Sequence, residues 1–327
     1  MRYVTLPGTD LEVSHIAMGS SAIGSRVGRV DSFALLDAFV EVGGTFLDTA
    51  HVYANWEPGE KHRSEKTIGA WLRATGHRDR VILATKGGHP DPETPMVSRL
   101  SPSEIVGDLD SSLELLGVDR VDLFWLHRDQ PSRPVGEMLE TLHEQVKLGK
   151  VGYIGCSNWR PERILEARAY AEEHGIAPFV ASQILWSLAA PNSGVVAWDH
   201  ASMDDEAAAF YREAGLAVVA FTSQARGFFT RAAAGGLASL RPDVRAEYES
   251  PENLARLGRA KRLATELGTT VTAIVLAYID SQPFVGIPIV GCVTLEQVRD
   301  SLSGADLALT HDQLRYLMSG DNAEGEH

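Results

Sequence analysis

Eight short apolar segments recur along the chain, and their spacing limits the folds open to it more than any other feature. Each segment is bounded by glycine or polar residues, and most lack the strict apolar and polar alternation of a half-exposed strand. Near-continuous apolar character is typical of parallel strands that are covered on both faces. The eight predicted strands lie in HIAMGS, TFLDTA, VILATKG, VDLFWLH, VGYIGCS, FVASQILW, AVVAFTS and VGIPIVG.

Segments with helical signals separate these strands. The sequence SPSE opens one of them: Ser101 is placed to cap a helix, Pro102 takes the first helical position, and Glu104 lies three residues after the cap. A second segment, NWRPERILEARAYAEEHG, has a proline near its start and a glycine at its end. Strands and helices therefore alternate along almost the whole chain.

This alternation predicts one parallel sheet built from right-handed crossovers, and eight units indicate a closed (β/α)8 TIM barrel of the α/β class. An open doubly wound sheet is the alternative, but no G-x-G-x-x-G follows the first strand. We expect a single domain over residues 1–327, with a hairpin in residues 1–15 that closes the barrel bottom and a frayed tail at 320–327. The longest irregular stretch, residues 189–202, and the region 224–252 look like insertions after strands six and seven, where long loops are often functional.

Charge and cysteine content exclude some classes of function. The net charge of −14 and the pI near 5.2 disfavour nucleic-acid binding, which requires clustered Lys and Arg, and solubility explains the acidity adequately. The only cysteines, Cys156 and Cys292, lie far apart and form no metal-binding cluster. Because the sequence shows neither a leader nor a long apolar span, we expect a cytoplasmic protein with no membrane partner.

Polar residues end consecutive predicted strands. Asp48 ends the second, Lys86 the third and His127 the fourth, and Tyr53 follows Asp48 by five residues. Each alone has an ordinary structural explanation, such as a turn cap, a lysine that reaches water or a packed histidine. Because the carboxyl ends of barrel strands meet on one rim, their joint occurrence favours an active site.

These four side chains suit the reduction of a carbonyl group. A phenol has an ordinary pKa near 10, and an ammonium from Lys86 would lower the pKa of Tyr53 by favouring the phenolate. Asp48 would keep Lys86 charged, while His127 would donate a hydrogen bond to a substrate oxygen near the Tyr53 hydroxyl. No side chain supplies a hydride, so the chemistry needs a nicotinamide cofactor.

Four motifs carry a family resemblance over about residues 3–317. The segments GGTFLDTAHVY, ILATKGG, DLFWLHRDQP and YIGCSNW resemble, in order and spacing, the aldo-keto reductase family. The resemblance implies a metal-free NAD(P)H-dependent barrel that reduces small-molecule aldehydes or ketones. It also implies that Tyr53 is the general acid, that Asp48 and Lys86 tune it, and that His127 orients the carbonyl.

The resemblance further identifies cofactor positions. It implies that Ser157, Asn158 and Gln183 bind the nicotinamide carboxamide, that Phe221 stacks on the ring, and that Thr222 lies beside it. The loop WEPGEKHRSE is similar to that of members related to potassium-channel β subunits and to sugar or glyceraldehyde-type reductases. Members of that branch form tetramers or octamers, which makes a homo-oligomer possible here.

The last strand departs from the family pattern. It reads IVGCVTLEQVRDS and lacks the usual Arg or Lys for an adenosine 2′-phosphate, although Gly291 and the helix that starts near Thr294 offer an anion site. Gln297 and Ser301 match cofactor-contacting positions, and Arg226 is a candidate phosphate ligand from the seventh loop. We expect NADPH, and NADH is not excluded.

Tryptophans near the rim predict an apolar substrate cleft. Trp56, Trp125 and Trp186, together with Trp198, favour a bulky or ring-containing carbonyl compound. A cofactor-binding regulatory subunit with little turnover is the alternative function. A metal-dependent hydrolase is disfavoured because His127 is the only histidine that ends a predicted strand. The sequence identifies neither the natural substrate nor the physiological direction of the reaction.

Overall fold

The computed structural model of the chain describes residues 1–320, in which eight parallel strands form a closed barrel. A two-stranded antiparallel hairpin precedes it, consisting of β1 (Tyr3–Thr5) and β2 (Glu12–Ser14). The barrel strands are β3 (Ala17–Gly19), β4 (Phe46–Asp48), β5 (Ile82–Gly87), β6 (Val121–Leu126), β7 (Val151–Ser157), β8 (Phe179–Leu185), β9 (Ala217–Phe221) and β10 (Gly286–Val290). Each strand pairs with its predecessor, and β10 also pairs with β3, which confirms the eight predicted strands and the closed barrel.

Helices connect the strands and surround the barrel. They are α1 (Arg29–Glu41), α2 (Arg63–Thr75), α3 (Pro102–Leu116), α4 (Val135–Lys147), α5 (Pro161–His174), α6 (Asp205–Ala214), α7 (Phe228–Gly235), α8 (Pro242–Tyr248), α9 (Pro251–Glu266), α10 (Val271–Asp280), α11 (Leu295–Leu302) and α12 (His311–Ser319). The region 224–252, predicted to be an insertion after the seventh strand, contains α7, α8 and the start of α9. The predicted tail lies outside the described residues from residue 321 onward.

The capping signals operate as predicted. The Ser101 side chain accepts the backbone N–H of Glu104, and the Glu104 carboxylate accepts the backbone N–H of Ser101, so both halves of the capping box are present. At the far end of α5, Gly175 has φ +63, a left-handed conformation that glycine adopts without steric cost.

The hairpin closes the end of the barrel where the strands begin. Leu6, Leu11 and Val13 belong to the apolar cluster inside the barrel, which also contains the first residue of β4, Phe46. The Ser14 hydroxyl accepts the backbone N–H of Phe46 at 3.2 Å, which ties the end of the hairpin to the start of that strand. A larger apolar cluster fills the space between the barrel and the helices. The carboxyl ends of the strands therefore remain open for a site.

One close backbone approach fixes the contact between α2 and α3. A Cβ at Gly69 would lie 2.3 Å from the carbonyl oxygen of Leu115, so only glycine lets the two helices pack at this distance.

Within residues 1–320 no single helix has the length and apolar character needed to cross a membrane. The pair α9 and α10, bent by 102° at its break, meets the length and composition requirements only when taken together.

Candidate active site

Lys86 lies at the centre of a cluster at the carboxyl ends of β4 and β5, in which Lys86 and Asp48 are fully buried and Tyr53 is half-buried. Its Nζ donates to Asp48 Oδ2 at 2.5 Å, to the carbonyl oxygen of Thr49 at 2.8 Å and to Tyr53 Oη at 3.1 Å. These three acceptors match the three donors of an ammonium group. The structure therefore brings together the three residues that the strand-end pattern had put on one rim.

The loop after β4 turns Tyr53 back towards the barrel. The Tyr53 N–H bonds to the carbonyl oxygen of Ala50, and the His51 N–H bonds to the carbonyl oxygen of Lys86, which anchors the loop to β5. Ala54 then takes a left-handed φ of +71. As a result the Tyr53 ring lies with its centre 4.7 Å from Lys86 Nζ.

Burial and charge act on Tyr53 in opposite directions. Burial raises the pKa of the Tyr53 hydroxyl above its ordinary value, and the Lys86 ammonium opposes this rise without cancelling it. The net direction differs from the expectation from sequence, which considered the ammonium and not the burial. Burial also lowers the pKa of Lys86, but Asp48 and Tyr53 outweigh it, so the pKa of the ammonium is raised overall.

His127 follows β6 directly and is held by the backbone. Its N–H donates to the carbonyl oxygen of Gly87 at 2.9 Å, and its own carbonyl oxygen accepts from Asn158 Nδ2 at 3.3 Å. The ring centre lies 6.0 Å from that of Tyr53 and 4.6 Å from that of His89. Burial, with a further contribution from His89, lowers the pKa of His127 well below its ordinary value, so the ring is neutral at pH 7. Its Nδ1 is buried and has no hydrogen-bond partner among the described residues.

A cavity of about 720 Å³ opens beside Tyr53 and His127. All nine positions expected to contact the cofactor line it: Ser157, Asn158, Gln183, Phe221, Thr222, Arg226, Gly291, Gln297 and Ser301. The volume and the mixed polar and apolar lining are suitable for a small-molecule cofactor with a substrate.

Hydrogen bonds connect the ends of β7 and β8 to the buried cluster. Gln183 Nε2 donates to Asp48 Oδ1 at 3.0 Å, and the Ser157 hydroxyl donates to the carbonyl oxygen of Gln183 at 3.0 Å. Asn158 takes a left-handed φ of +63 and donates to the Ser157 hydroxyl at 3.2 Å. Asp48 is therefore shared between Lys86 and the predicted nicotinamide side of the cavity.

The far end of the cavity suits an anion. A Cβ at Gly291 would meet no atom within 4 Å, so there is open space beside this backbone. Thr294 caps α11 by accepting the Gln297 N–H, and the Gln297 side chain accepts the Val293 N–H at 2.8 Å. The amino end of α11 thus lies at this part of the cavity. Position 293, just before the helix, holds a valine and not a lysine or arginine.

Arginines on the loop after β9 supply positive charge instead. Arg226 lines the cavity but is paired with Glu247 at 2.7 Å and with Asp243, so these carboxylates offset its charge. Arg231 and Arg241 also line the cavity, and the sequence reasoning missed both. The four arginines in the region 224–252, after a barrel strand, were the signal that could have found them.

The predicted tryptophan cleft is largely absent. Trp56 lines the cavity, with its ring centre 5.8 Å from that of Tyr53. Trp125 is instead fully buried inside the barrel, and Trp186 packs outside the strands against Tyr278. Trp198 is 76% exposed and does not line the cavity. The structure therefore corrects the assignment of Trp125 and Trp186 to the substrate pocket.

Basic and imidazole side chains take the place of those rings. Arg128, next to His127 in the chain, lines the cavity and donates from Nε to Asp199 Oδ2 at 2.7 Å. His200 also lines the cavity. Its Nε2 lies 3.3 Å from Arg128 Nη2, and its ring centre lies 5.5 Å from that of Phe221. The sequence reasoning missed these residues, although Arg128 directly follows a predicted strand end.

Comparisons with known proteins agree with this geometry. The model of the Aldo/keto reductase family matches residues 15–321. The chain is 32% identical to an uncharacterized oxidoreductase, YrpG, of Bacillus subtilis (strain 168), with 97% of this chain and 95% of that protein covered. It is 27% identical to an aryl-alcohol dehydrogenase (NADP+) of Phanerodontia chrysosporium, with 95% of this chain and 83% of that protein covered. It is also 27% identical to a probable voltage-gated potassium channel subunit beta of Oryza sativa subsp. japonica, with 94% of this chain and 92% of that protein covered.

A solved structure shows the same fold. The crystal structure of the thermostable aldo-keto reductase Tm1743 with the inhibitor epalrestat has a TM-score of 0.74 and 22% identity to this chain. The match covers 98% of this chain and 99% of that one. The match of the family model to residues 15–321 confirms the resemblance inferred from the four sequence motifs.

Proposed function

The chain belongs to the Aldo/keto reductase family, and from that premise we propose that it reduces an aldehyde or ketone to an alcohol with NAD(P)H, using Tyr53 as general acid. The observation that carries this proposal is the contact of Tyr53 Oη with Lys86 Nζ at 3.1 Å, in a cluster that Asp48 completes. A phenol next to a buried ammonium can lose its proton during the reaction and be stabilised as phenolate.

The cavity residues fit a nicotinamide cofactor. Ser157, Asn158 and Gln183 would hold the carboxamide, and Phe221 would stack on the ring, because all four line the cavity next to Tyr53. When bound, the cofactor supplies the hydride. The open space beside Gly291 would receive a phosphate group.

The chain's own residues manage the substrate oxygen and the proton. Tyr53 donates the proton of its hydroxyl to the carbonyl oxygen, and Lys86 then lies 3.1 Å from the phenolate that remains. His127 donates one N–H to the same oxygen without changing its own charge, because its lowered pKa keeps the ring neutral. Water next returns a proton to Tyr53.

We propose NADPH as the preferred cofactor, with NADH as the alternative. Arg231 lines the cavity and pairs with no carboxylate in the described part of the chain, so it provides the cation that position 293 lacks, whereas Arg226 and Arg241 are paired with acidic residues. The relative from Phanerodontia chrysosporium is named for NADP+, which supports the same choice.

The test measures oxidation of NADPH and NADH with an activated aromatic aldehyde, for wild type and Tyr53→Phe. We expect wild type to consume one cofactor, and Tyr53→Phe to lose about 10²-fold or more of the rate with unchanged cofactor affinity. A variant rate equal to that of wild type would contradict the assignment of the general acid.

A second function is favoured by one comparison. The rice relative is named a probable potassium channel subunit beta, so we also consider a subunit that binds the cofactor and turns over little. Tight binding of both cofactors with no aldehyde reduction would favour this alternative.

A further inference from the structure

Two of the five arginines that line the cavity, Arg26 and Arg128, have no role in the mechanism above. Arg26 lies on the loop after β3 and Arg128 follows His127 at the end of β6, whereas Arg226, Arg231 and Arg241 lie in the segment between β9 and α9. Because the chain as a whole carries a net charge of −14, basic side chains that line one cavity require an explanation.

Arg128 is held in one orientation. Its Nε donates to Asp199 Oδ2 at 2.7 Å, Nη1 donates to the carbonyl oxygen of His127 at 3.0 Å, and Nη2 lies 3.3 Å from His200 Nε2. A guanidinium has five N–H donors, so these contacts leave one on Nη1 and one on Nη2. These two terminal nitrogens form the fork that binds a carboxylate with two parallel hydrogen bonds.

Asp199 offsets part of the charge of Arg128, but further features of its surroundings favour an anion in the cavity. Its side chain is only 12% exposed, so water screens its charge less than it would on an open surface. The neighbouring His89 is neutral at pH 7, since burial lowers its pKa to about 4. Arg26 lines the same cavity and makes no ion pair with any residue in the described part of the chain, which leaves its positive charge unbalanced.

We propose that the carbonyl substrate carries a carboxylate group, and that Arg128 binds this group while Arg26 adds to the local positive potential. The inference rests on the proposed reductase function. Since Arg128 follows His127 in the chain and donates to its backbone, the carboxylate lies a few bonds from the carbonyl carbon, as in a short oxo acid or a formylbenzoate. The fixed side of the guanidinium faces Asp199, which positions Arg128 and does not touch the substrate.

The test compares two aldehydes that differ in charge and by one methyl group, 4-formylbenzoate and methyl 4-formylbenzoate. For wild type with its preferred cofactor, we expect kcat/KM for the acid to exceed that for the ester by about 10-fold, because charge-assisted bidentate pairs are strong. Arg128→Gln is expected to remove this preference, mainly through KM for the acid. Arg128→Lys is expected to restore part of it, since a lysine keeps the charge and loses the fork.

A matched control separates binding from folding. Arg163 is also 12% exposed and also bonded to a carboxylate, that of Asp129, but it lies outside the cavity lining. Arg163→Gln should leave the ratio of acid to ester unchanged. Arg26→Gln should lower this ratio by about threefold, as expected for an exposed charge screened by solvent.

The outcomes distinguish the inference from the function on which it rests. If wild type reduces the ester as well as or better than the acid, the reductase function stands and the carboxylate inference fails. If Arg128→Gln lowers both rates equally, Arg128 supports the fold and the inference also fails. If neither aldehyde is reduced although the cofactor binds, the proposed function fails and the inference fails with it.

Discussion

Replacement of Lys86 by methionine tests how the buried cluster controls Tyr53. Lys86 Nζ lies 3.1 Å from Tyr53 Oη, and an opposite charge this close shifts a pKa by about 1–3 units. Each unit corresponds to about 1.4 kcal/mol, so loss of the ammonium should raise the barrier to proton transfer by roughly 1.4–4 kcal/mol. The expected fall in the rate of the chemical step is about 10-fold to 10³-fold.

The same substitution should also destabilise the fold, for a separate reason. Asp48 is fully buried, and removal of its partner leaves a carboxylate with no ammonium beside it, which costs about 3–5 kcal/mol. The double variant Asp48→Asn with Lys86→Met removes both charges. It should recover most of the stability and remain as slow as the single variant.

The assay combines urea unfolding with single-turnover reduction from about pH 7 to about pH 11, because burial places the pKa of Tyr53 above its ordinary value near 10. Since the acid must be protonated to act, the rate declines above the pKa of Tyr53, and this decline should move to higher pH in Lys86→Met because the largest opposition to the effect of burial is then lost. Cofactor affinity serves as the control for the integrity of the site. A double variant that regains both stability and rate would refute the electrostatic role of Lys86.

Four further substitutions test other parts of the structure. Gly69→Ala should cost about 1–3 kcal/mol of stability because its Cβ would meet the Leu115 carbonyl oxygen. Gly107→Ala, where a Cβ meets no atom within 4 Å, should instead raise the free energy of unfolding by about 0.5–1 kcal/mol. If urea unfolding showed the same effect for both substitutions, the packing argument would be contradicted. Burial lowers the pKa of His89 from 6.5 to about 4, so the unfolded chain takes up the proton first as the pH falls. The free energy of unfolding should then decrease by roughly 1.4 kcal/mol for each unit by which the pH falls between these two values. In His89→Gln the urea midpoint should depend less on pH in this window. Equal pH dependence of the midpoint in the variant and the wild type would be evidence against this role of His89. Arg231→Gln should weaken NADPH binding about 10-fold more than NADH binding, because it removes a hydrogen bond from a charged group. Titration of each cofactor, followed by protein fluorescence, measures the two affinities. Equal losses of affinity for the two cofactors would show that this arginine does not contact the phosphate.

The fold could be predicted because its signal is local and repeated. Each apolar run is one strand, and polar residues at the ends of neighbouring parallel strands necessarily converge on one rim. Asp48, Lys86 and His127 were found in this way without any knowledge of contacts. Tyr53 was found through its chemistry, because a phenol is a proton donor that a neighbouring ammonium can tune.

The tryptophans show where the same reasoning needed one more step. Side chains on a strand alternate between the two faces, so Trp125, two residues before His127, lies on the same inward face and one layer deeper. Trp186 lies three residues after Gln183 and therefore on the opposite face, among the helices. Counting from the polar strand-end residues would have excluded both from the cavity, whereas nearness to the rim alone did not.

The direction of the Tyr53 pKa shift could not be read from the sequence, because burial depends on the loop that folds over the cluster. Burial keeps the phenol protonated before the reaction, and the ammonium stabilises the phenolate after it, so the two opposing effects serve consecutive stages of one proton transfer. The same burial would discharge Lys86 if Asp48 did not lie 2.5 Å away. The half-buried proton donor therefore requires the ammonium, and the fully buried ammonium requires the carboxylate. This dependence explains why an apolar strand ends in Asp48.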